Sequence, residues 1–195
     1  MTAFIEDSAY TGVQRKWSYV EVLNRAGRLA TILEEKFDVQ KGDTVVIYMP
    51  MVIEAAFAMH AVARLGATHS VVFGGFAAKE LANRIDDCNP KLIITCSCGI
   101  EPGKHIKYAP IVDEALTHCT RINDPTKLPR LIYQRKELDG ALFQEGLDES
   151  VYFDYETLMD ECDKVHDVVP VLATHPLYIL YTSGTTGQPK GITRE

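Results

Sequence analysis

The residues best suited to chemistry lie near the end of the chain, in the segment YTSGTTGQPKG at positions 181–191. Its hydroxyl groups, and the backbone amides that glycine allows to approach a ligand closely, can bind phosphate oxygens. A lysine adds one compact positive charge. We therefore predict a phosphate-binding loop with seven contributing residues: Thr182, Ser183, Gly184, Thr185, Thr186, Gly187 and Lys190.

The spacing in this loop is not that of the common nucleotide-binding motif GxxxxGK[ST]. No Ser or Thr follows Lys190, which disfavours a P-loop GTPase or ATPase. A surface turn enriched by chance in Ser, Thr and Gly is the alternative, but the order strand, hydroxyl, glycine, lysine argues against it. The preceding residues 177–181 are apolar at every position, which predicts a strand buried on both faces that leads into the loop.

A second candidate is the run Phe73, Gly74, Gly75 and Phe76, directly after an apolar segment. The glycines would permit close approach of a ligand, and the aromatic rings could stack on it. On the residues alone, a tight turn between strand and helix with aromatic anchors in the core is the simpler interpretation.

Strands and helices that could position these residues alternate along the sequence. A capping box at Ser18 and Glu21 predicts a helix that ends near Lys36. Strands are predicted at about 4–6, 44–48, 68–73, 91–95, 131–134 and 177–181, and further helices at 52–65, 77–87, 111–118 and 155–162. This alternation predicts an α/β fold with a mainly parallel sheet flanked by helices, and an irregular connection between Arg135 and His175.

Composition narrows the class of protein. The chain has 20 basic and 27 acidic residues, a net charge of −7, so we expect no general affinity for nucleic acid or anionic membranes. Five cysteines without framework spacing favour reduced thiols, and the pair Cys96 and Cys98 is interpreted as plain buried thiols, so no metal site is expected. His69 is interpreted as a hydrogen-bonded structural residue. No transmembrane segment is predicted.

Three segments carry a resemblance to a known family. YTSGTTGQPKG resembles the phosphate-binding signature of the adenylate-forming, AMP-binding superfamily. The segment YMPMVIEAAFAMHAVARLGATHSVVFGGF, at 48–76, resembles the acetyl- and propionyl-CoA synthetase branch of short-chain acyl-CoA synthetases. CGIEPGKHIKY, at 98–108, is similar to the propionyl-like members, and the likeness extends from about Tyr19 onward.

The resemblance implies ATP-dependent ligation of propionate or acetate to CoA through an acyl-AMP intermediate, with ATP, Mg²⁺ and CoA. It implies that Phe73, Gly74 and Gly75 lie beside the adenosine of CoA. Lys104 stands at one of two positions where acetyl-type members hold the CoA 3′-phosphate with arginine, and Glu101 stands at the other. Lys104 could therefore bind that phosphate or be an ordinary solvated lysine.

The resemblance also implies that residues 1–195 are part of an N-terminal AMP-binding domain. The catalytic set would then be incomplete here, and a lysine-bearing C-terminal part of the parent enzyme would be the missing partner beside the small-molecule substrates. We expect the chain alone to be inactive. The alternative is a truncated, non-catalytic product that binds at most polyphosphate or a partner. No presequence is visible, so we expect the cytoplasm or the mitochondrial matrix.

Overall fold

The computed structural model describes residues 1–101, 104–138, 146–182 and 190–195. The strands are β1 Thr2–Asp7, β2 Gln14–Ser18, β3 Thr44–Met49, β4 Thr68–Phe73, β5 Leu92–Cys96, β6 Cys98–Glu101, β7 Lys104–Lys107, β8 Arg130–Tyr133, β9 Tyr152–Asp154, β10 Tyr178–Thr182 and β11 Lys190–Arg194. The α-helices are α1 Tyr19–Phe37, α2 Ile53–Arg64, α3 Ala78–Cys88, α4 Tyr108–His118 and α5 Tyr155–Glu161.

A seven-stranded sheet dominates the described part of the chain, with the order β11-β10-β4-β3-β5-β8-β9. Every neighbouring pair is parallel except β10 and β11, which are antiparallel. The predicted α/β class is confirmed. Because parallel strands end on the same edge of a sheet, β3, β4, β5, β8 and β10 bring the residues that follow them to one side of the molecule.

The core lies around the central strands. β3 is buried from Val45 to Met49, and all of β5 is buried. Such strands are covered on both faces, which explains their unbroken apolar sequence. Burial of each large aliphatic side chain contributes roughly 1.5 to 3 kcal/mol, so this centre is the rigid support for everything attached to its carboxyl edge.

The predicted first helix is confirmed in detail. The Ser18 side chain accepts a hydrogen bond from the Glu21 amide, and the Glu21 carboxylate accepts one from the Ser18 amide at 2.7 Å. The helix ends at Asp38, whose φ of 53° is left-handed. Val20 and Leu23, which contributed to the helical pattern, are nevertheless 75% and 52% exposed.

The prediction that residues 177–181 are buried on both faces is wrong. Leu177 is 38% exposed and Leu180 is 55% exposed. The reason lies in the sheet order. β10 pairs with β4 only through Tyr178 with His69 and Ile179 with Ser70, and its other neighbour, β11, is the exposed edge strand.

In the described parts of the connection between Arg135 and His175, residues 135–138 and 146–175, α5 is the predicted short helix and β9 is a strand that the sequence did not predict. Residues 139–145 lie outside the described residues. Beyond α5, residues 163–176 form an extended strap across α1 and α2. The His166 amide donates to the Gly27 carbonyl at 3.0 Å, and the Val169 amide donates to the Arg64 carbonyl at 2.9 Å. In the part of the chain that is described, no helix has the length and apolarity needed to cross a membrane.

Candidate functional site

A pocket of about 250 Å³ opens at the carboxyl edge of the sheet. Its walls come from the turn after β4, the segment after β3, and the β6–β7 hairpin. Ligands of parallel sheets bind outside the carboxyl ends of the strands, so this position is the expected one. The structure brings Phe73, Gly74 and Gly75 together in the lining of this pocket.

Two tyrosines support this turn from below. The rings of Tyr48 and Tyr108 have centroids 5.0 Å apart. The Tyr48 hydroxyl donates to the Phe76 carbonyl at 2.8 Å and lies 3.3 Å from the Gly74 carbonyl. Burial raises the pKa of Tyr48 to about 12 and also raises the pKa of Tyr108, so both hydroxyls stay protonated, and that of Tyr48 is the donor to the turn.

The glycines of the pocket are required by close contact with Tyr108. A Cβ at Gly74 would lie 2.2 Å from the Tyr108 hydroxyl, and one at Gly99 would lie 2.5 Å from the same oxygen. Gly75 differs, because its nearest neighbour is the ring of Phe73, at 2.5 Å. Phe73 is 65% exposed, so its ring has a free surface on which a ligand could stack.

The two charged residues of the β6–β7 hairpin pair with each other. Lys104 Nζ lies 3.2 Å from Glu101 Oε2, and both side chains are largely exposed. Glu101 and Lys104 are register partners in the β6–β7 hairpin. The Glu101 carboxylate competes with any anion for the Lys104 ammonium group.

Arg135 is a pocket residue that the sequence analysis did not single out. It is only 7% exposed and lines the pocket just beyond the end of β8. Its backbone amide donates to the Ser97 hydroxyl at 2.9 Å, which fixes the chain at this point. A basic residue directly after an apolar parallel strand is the signal that could have revealed it.

The predicted phosphate-binding loop is only partly described. Ser183, Gly184, Thr185, Thr186 and Gly187 lie outside the described residues. Thr182 and Lys190, at the two ends of the loop, are exposed and face each other as register partners of β10 and β11. Because β10 is the parallel neighbour of β4, the loop begins on the same edge as the glycine turn.

His69 lies away from this edge, near the start of β4. Its ring stacks on Tyr178 with centroids 5.9 Å apart and an interplanar angle of 10°. Among the described residues its buried Nδ1 has no hydrogen-bond partner, so stacking holds the ring rather than the expected hydrogen bond. Burial lowers the pKa of His69 to about 4, which keeps it neutral.

The described residues include no group of three His, Cys, Asp or Glu side chains that could hold a metal ion. Cys96 and Cys98 are both fully buried. Burial raises the pKa of Cys96 to about 12, so its thiol is neither a ready nucleophile nor a ready ligand.

The sheet and its carboxyl-edge turns define an α/β domain with a pocket at the carboxyl ends of its strands. A family model described as AMP-binding enzyme matches residues 2–195. The chain therefore belongs to the AMP-binding enzyme family.

Individual relatives agree with this assignment. The chain is 50% identical over 192 residues to the acyl-CoA synthetase short-chain family member 3, mitochondrial, of Bos taurus, covering 98% of this chain and 26% of the relative. It is 48% identical to the Homo sapiens protein of that name, with 98% and 26% covered. The acetyl-coenzyme A synthetase of Methylobacterium radiotolerans is 41% identical, with 98% and 28% covered. The chain thus spans about a quarter of the length of these relatives.

Proposed function

We propose that the protein containing this chain joins a short-chain carboxylate to CoA, using ATP and passing through an acyl-AMP. The carboxylate attacks the α-phosphate of ATP and releases pyrophosphate, and the CoA thiol then displaces AMP. Membership of the AMP-binding enzyme family and the similarity to acyl-CoA and acetyl-CoA synthetases support this proposal. Propionate is the carboxylate we favour, on the likeness of 98–108 to propionyl-type members.

The observation that carries the proposal is the pocket formed by the glycine turn and the β6–β7 hairpin at the carboxyl edge. In this proposal the exposed Phe73 ring stacks on the adenine of CoA, and Gly74 and Gly75 line the pocket beside it. Lys104 reaches the 3′-phosphate as a point charge, weakened by the neighbouring Glu101. Arg135, under the same pocket, supplies a permanent positive charge beside the phosphates.

The residues from Thr182 to Lys190 bind the β- and γ-phosphates of ATP in this proposal. Negative charge develops on pyrophosphate as it leaves, and amides, hydroxyls and an ammonium group stabilise such charge. Mg²⁺ would enter as the complex with ATP and neutralise part of that charge. The chain supplies positioning and electrostatic stabilisation rather than a covalent intermediate.

We further propose that residues 1–195 are part of the N-terminal AMP-binding domain of a longer enzyme, and that the remaining groups lie in the rest of that protein. The mitochondrial matrix is the compartment we favour over the cytoplasm, because two of the relatives described above are named as mitochondrial.

The test is a coupled assay on the purified complete protein with ATP, Mg²⁺, CoA and either propionate or acetate. We expect acyl-CoA and AMP in equal amounts, and pyrophosphate exchange that depends on the carboxylate. The 195-residue chain alone, assayed in parallel, should give neither. Release of ADP in place of AMP, or turnover without CoA or carboxylate, would overturn the proposal.

A further inference from the structure

Arg84, on α3, lies between the two candidate binding segments. Its guanidinium carbon is 4.4 Å from the ring centroid of Phe76, in the glycine turn, and 5.1 Å from that of Tyr181. Tyr181 immediately precedes Thr182, where the phosphate-binding loop begins. One side chain therefore contacts an aromatic ring from each segment.

The charge of Arg84 is nearly removed from water. The residue is 6% exposed, and burying a charge costs free energy unless it is paired. Arg84 Nη1 donates to the Glu80 carbonyl at 2.6 Å and to the Glu80 carboxylate at 3.1 Å. These bonds fix the guanidinium plane, so the two rings are held against a rigid group rather than a mobile one.

A second contact fixes β10 to the same helix. The Tyr181 hydroxyl donates to Asp87 Oδ2 at 2.8 Å and lies 3.5 Å from the Arg84 carbonyl. Across the hairpin, a Cβ at Gly191 would lie 2.9 Å from the same Asp87 oxygen. Both ends of the loop are thus packed on α3.

We propose that Arg84 is a positioning residue that couples the two segments, so that the placement of the phosphate-binding loop depends on the placement of the glycine turn. Displacing Phe76 removes one wall from the guanidinium, which then supports Tyr181 less firmly. Arginine suits this role because its planar group can stack on two rings, whereas lysine offers a point charge. The expected effect on the KM values for ATP and CoA rests on the proposed function. The coupling between the two segments does not, because it is a property of the fold.

The experiment measures amide hydrogen exchange at residues 73–76 and 178–182 of the complete protein, together with the KM values for ATP and CoA. We expect Arg84→Met to speed exchange in both segments and to raise both KM values about three- to tenfold, with Arg84→Lys close to it. Ile85→Val, at a fully buried position on the same helix, is the control for a loss of core packing, and it should leave both KM values unchanged and speed exchange in the two segments less than Arg84→Met does.

Phe76→Leu tests whether the two segments are coupled through Arg84 or are each supported by it separately. With Arg84 present, it should speed exchange at 178–182 as well as locally. In an Arg84→Met background, Phe76→Leu should speed hydrogen exchange only at residues 73–76. Purely local effects of Phe76→Leu, or an Ile85→Val protein that behaves like Arg84→Met, would overturn the coupling. If the wild-type protein makes no acyl-CoA, the proposed function fails, and the exchange data still decide for or against the coupling.

Discussion

The Glu101 carboxylate and the Lys104 ammonium group face each other across the β6–β7 hairpin, 3.2 Å apart. Glu101→Arg should remove this partner and add a second cation, and so lower the KM for CoA. The KM for dephospho-CoA, which lacks the 3′-phosphate, should scarcely change. The KM of the Glu101→Gln protein for CoA should lie between those of the wild type and of Glu101→Arg, because this change frees Lys104 without adding a positive charge. Equal effects on the two ligands would show that the hairpin does not face that phosphate.

Lys190 should be essential to the first half-reaction. In the complete protein, Lys190→Ala removes a charged contact with the leaving pyrophosphate and should cost about 2 kcal/mol or more of transition-state stabilisation. Carboxylate-dependent pyrophosphate exchange measures this directly. Lys16→Ala, at an exposed position on β2, is the control and should exchange at the wild-type rate. Normal exchange in the Lys190→Ala protein would remove the lysine from the phosphate site.

Gly74 and Gly75 should differ sharply in their tolerance of alanine. Gly74→Ala drives a methyl group against the buried Tyr108 hydroxyl and should destabilise the fold by about 1 to 3 kcal/mol. Gly75→Ala meets only the exposed Phe73 ring, which can turn aside, and should cost less. Urea unfolding compares the two. Tyr108→Phe should recover part of the loss in the Gly74→Ala background and none in the Gly75→Ala background.

Stability should fall in mild acid because of His69. Its pKa is about 4 in the folded chain and about 6.5 when unfolded, so the unfolded state binds more protons between these values. The free energy of unfolding should therefore drop by roughly 1 to 2 kcal/mol between pH 7 and pH 5. His69→Phe, which can still stack on Tyr178, should make the free energy of unfolding less dependent on pH. An unchanged pH profile in that variant would assign the effect to other groups.

The strands of the central sheet could be predicted because burial on both faces leaves an unbroken apolar run, as in β3 and β5. The β6–β7 and β10–β11 hairpins could not, because β7 and β11 are short, exposed and partly charged. No apolar periodicity marks them. The error at Leu180 has the same origin: an apolar sequence does not reveal that its strand lies next to the edge.

The residues of the candidate site also fall into two groups: some are marked by a local sequence pattern, and others are revealed only by the fold. The glycine turn was visible because glycines and aromatic rings directly follow an apolar run. Tyr108 and Arg84 were not, because each acts through neighbours from distant parts of the sequence. The contact of Tyr181 with Arg84 spans 97 residues. Only the folded sheet brings such pairs together.

The position of β10 has a consequence for how the protein is made. Its parallel partner, β4, and the helix that receives Tyr181 are synthesised early, whereas β10 follows the whole strap. The centre formed by β3, β4, β5 and β8 can assemble on the ribosome first, since domains fold as the chain emerges. The strand that leads into the predicted phosphate-binding loop then pairs with β4 after these strands have formed, and pairing across so long a separation is intrinsically slow. During that interval the edge of β4 is unpaired and open to wrong pairing.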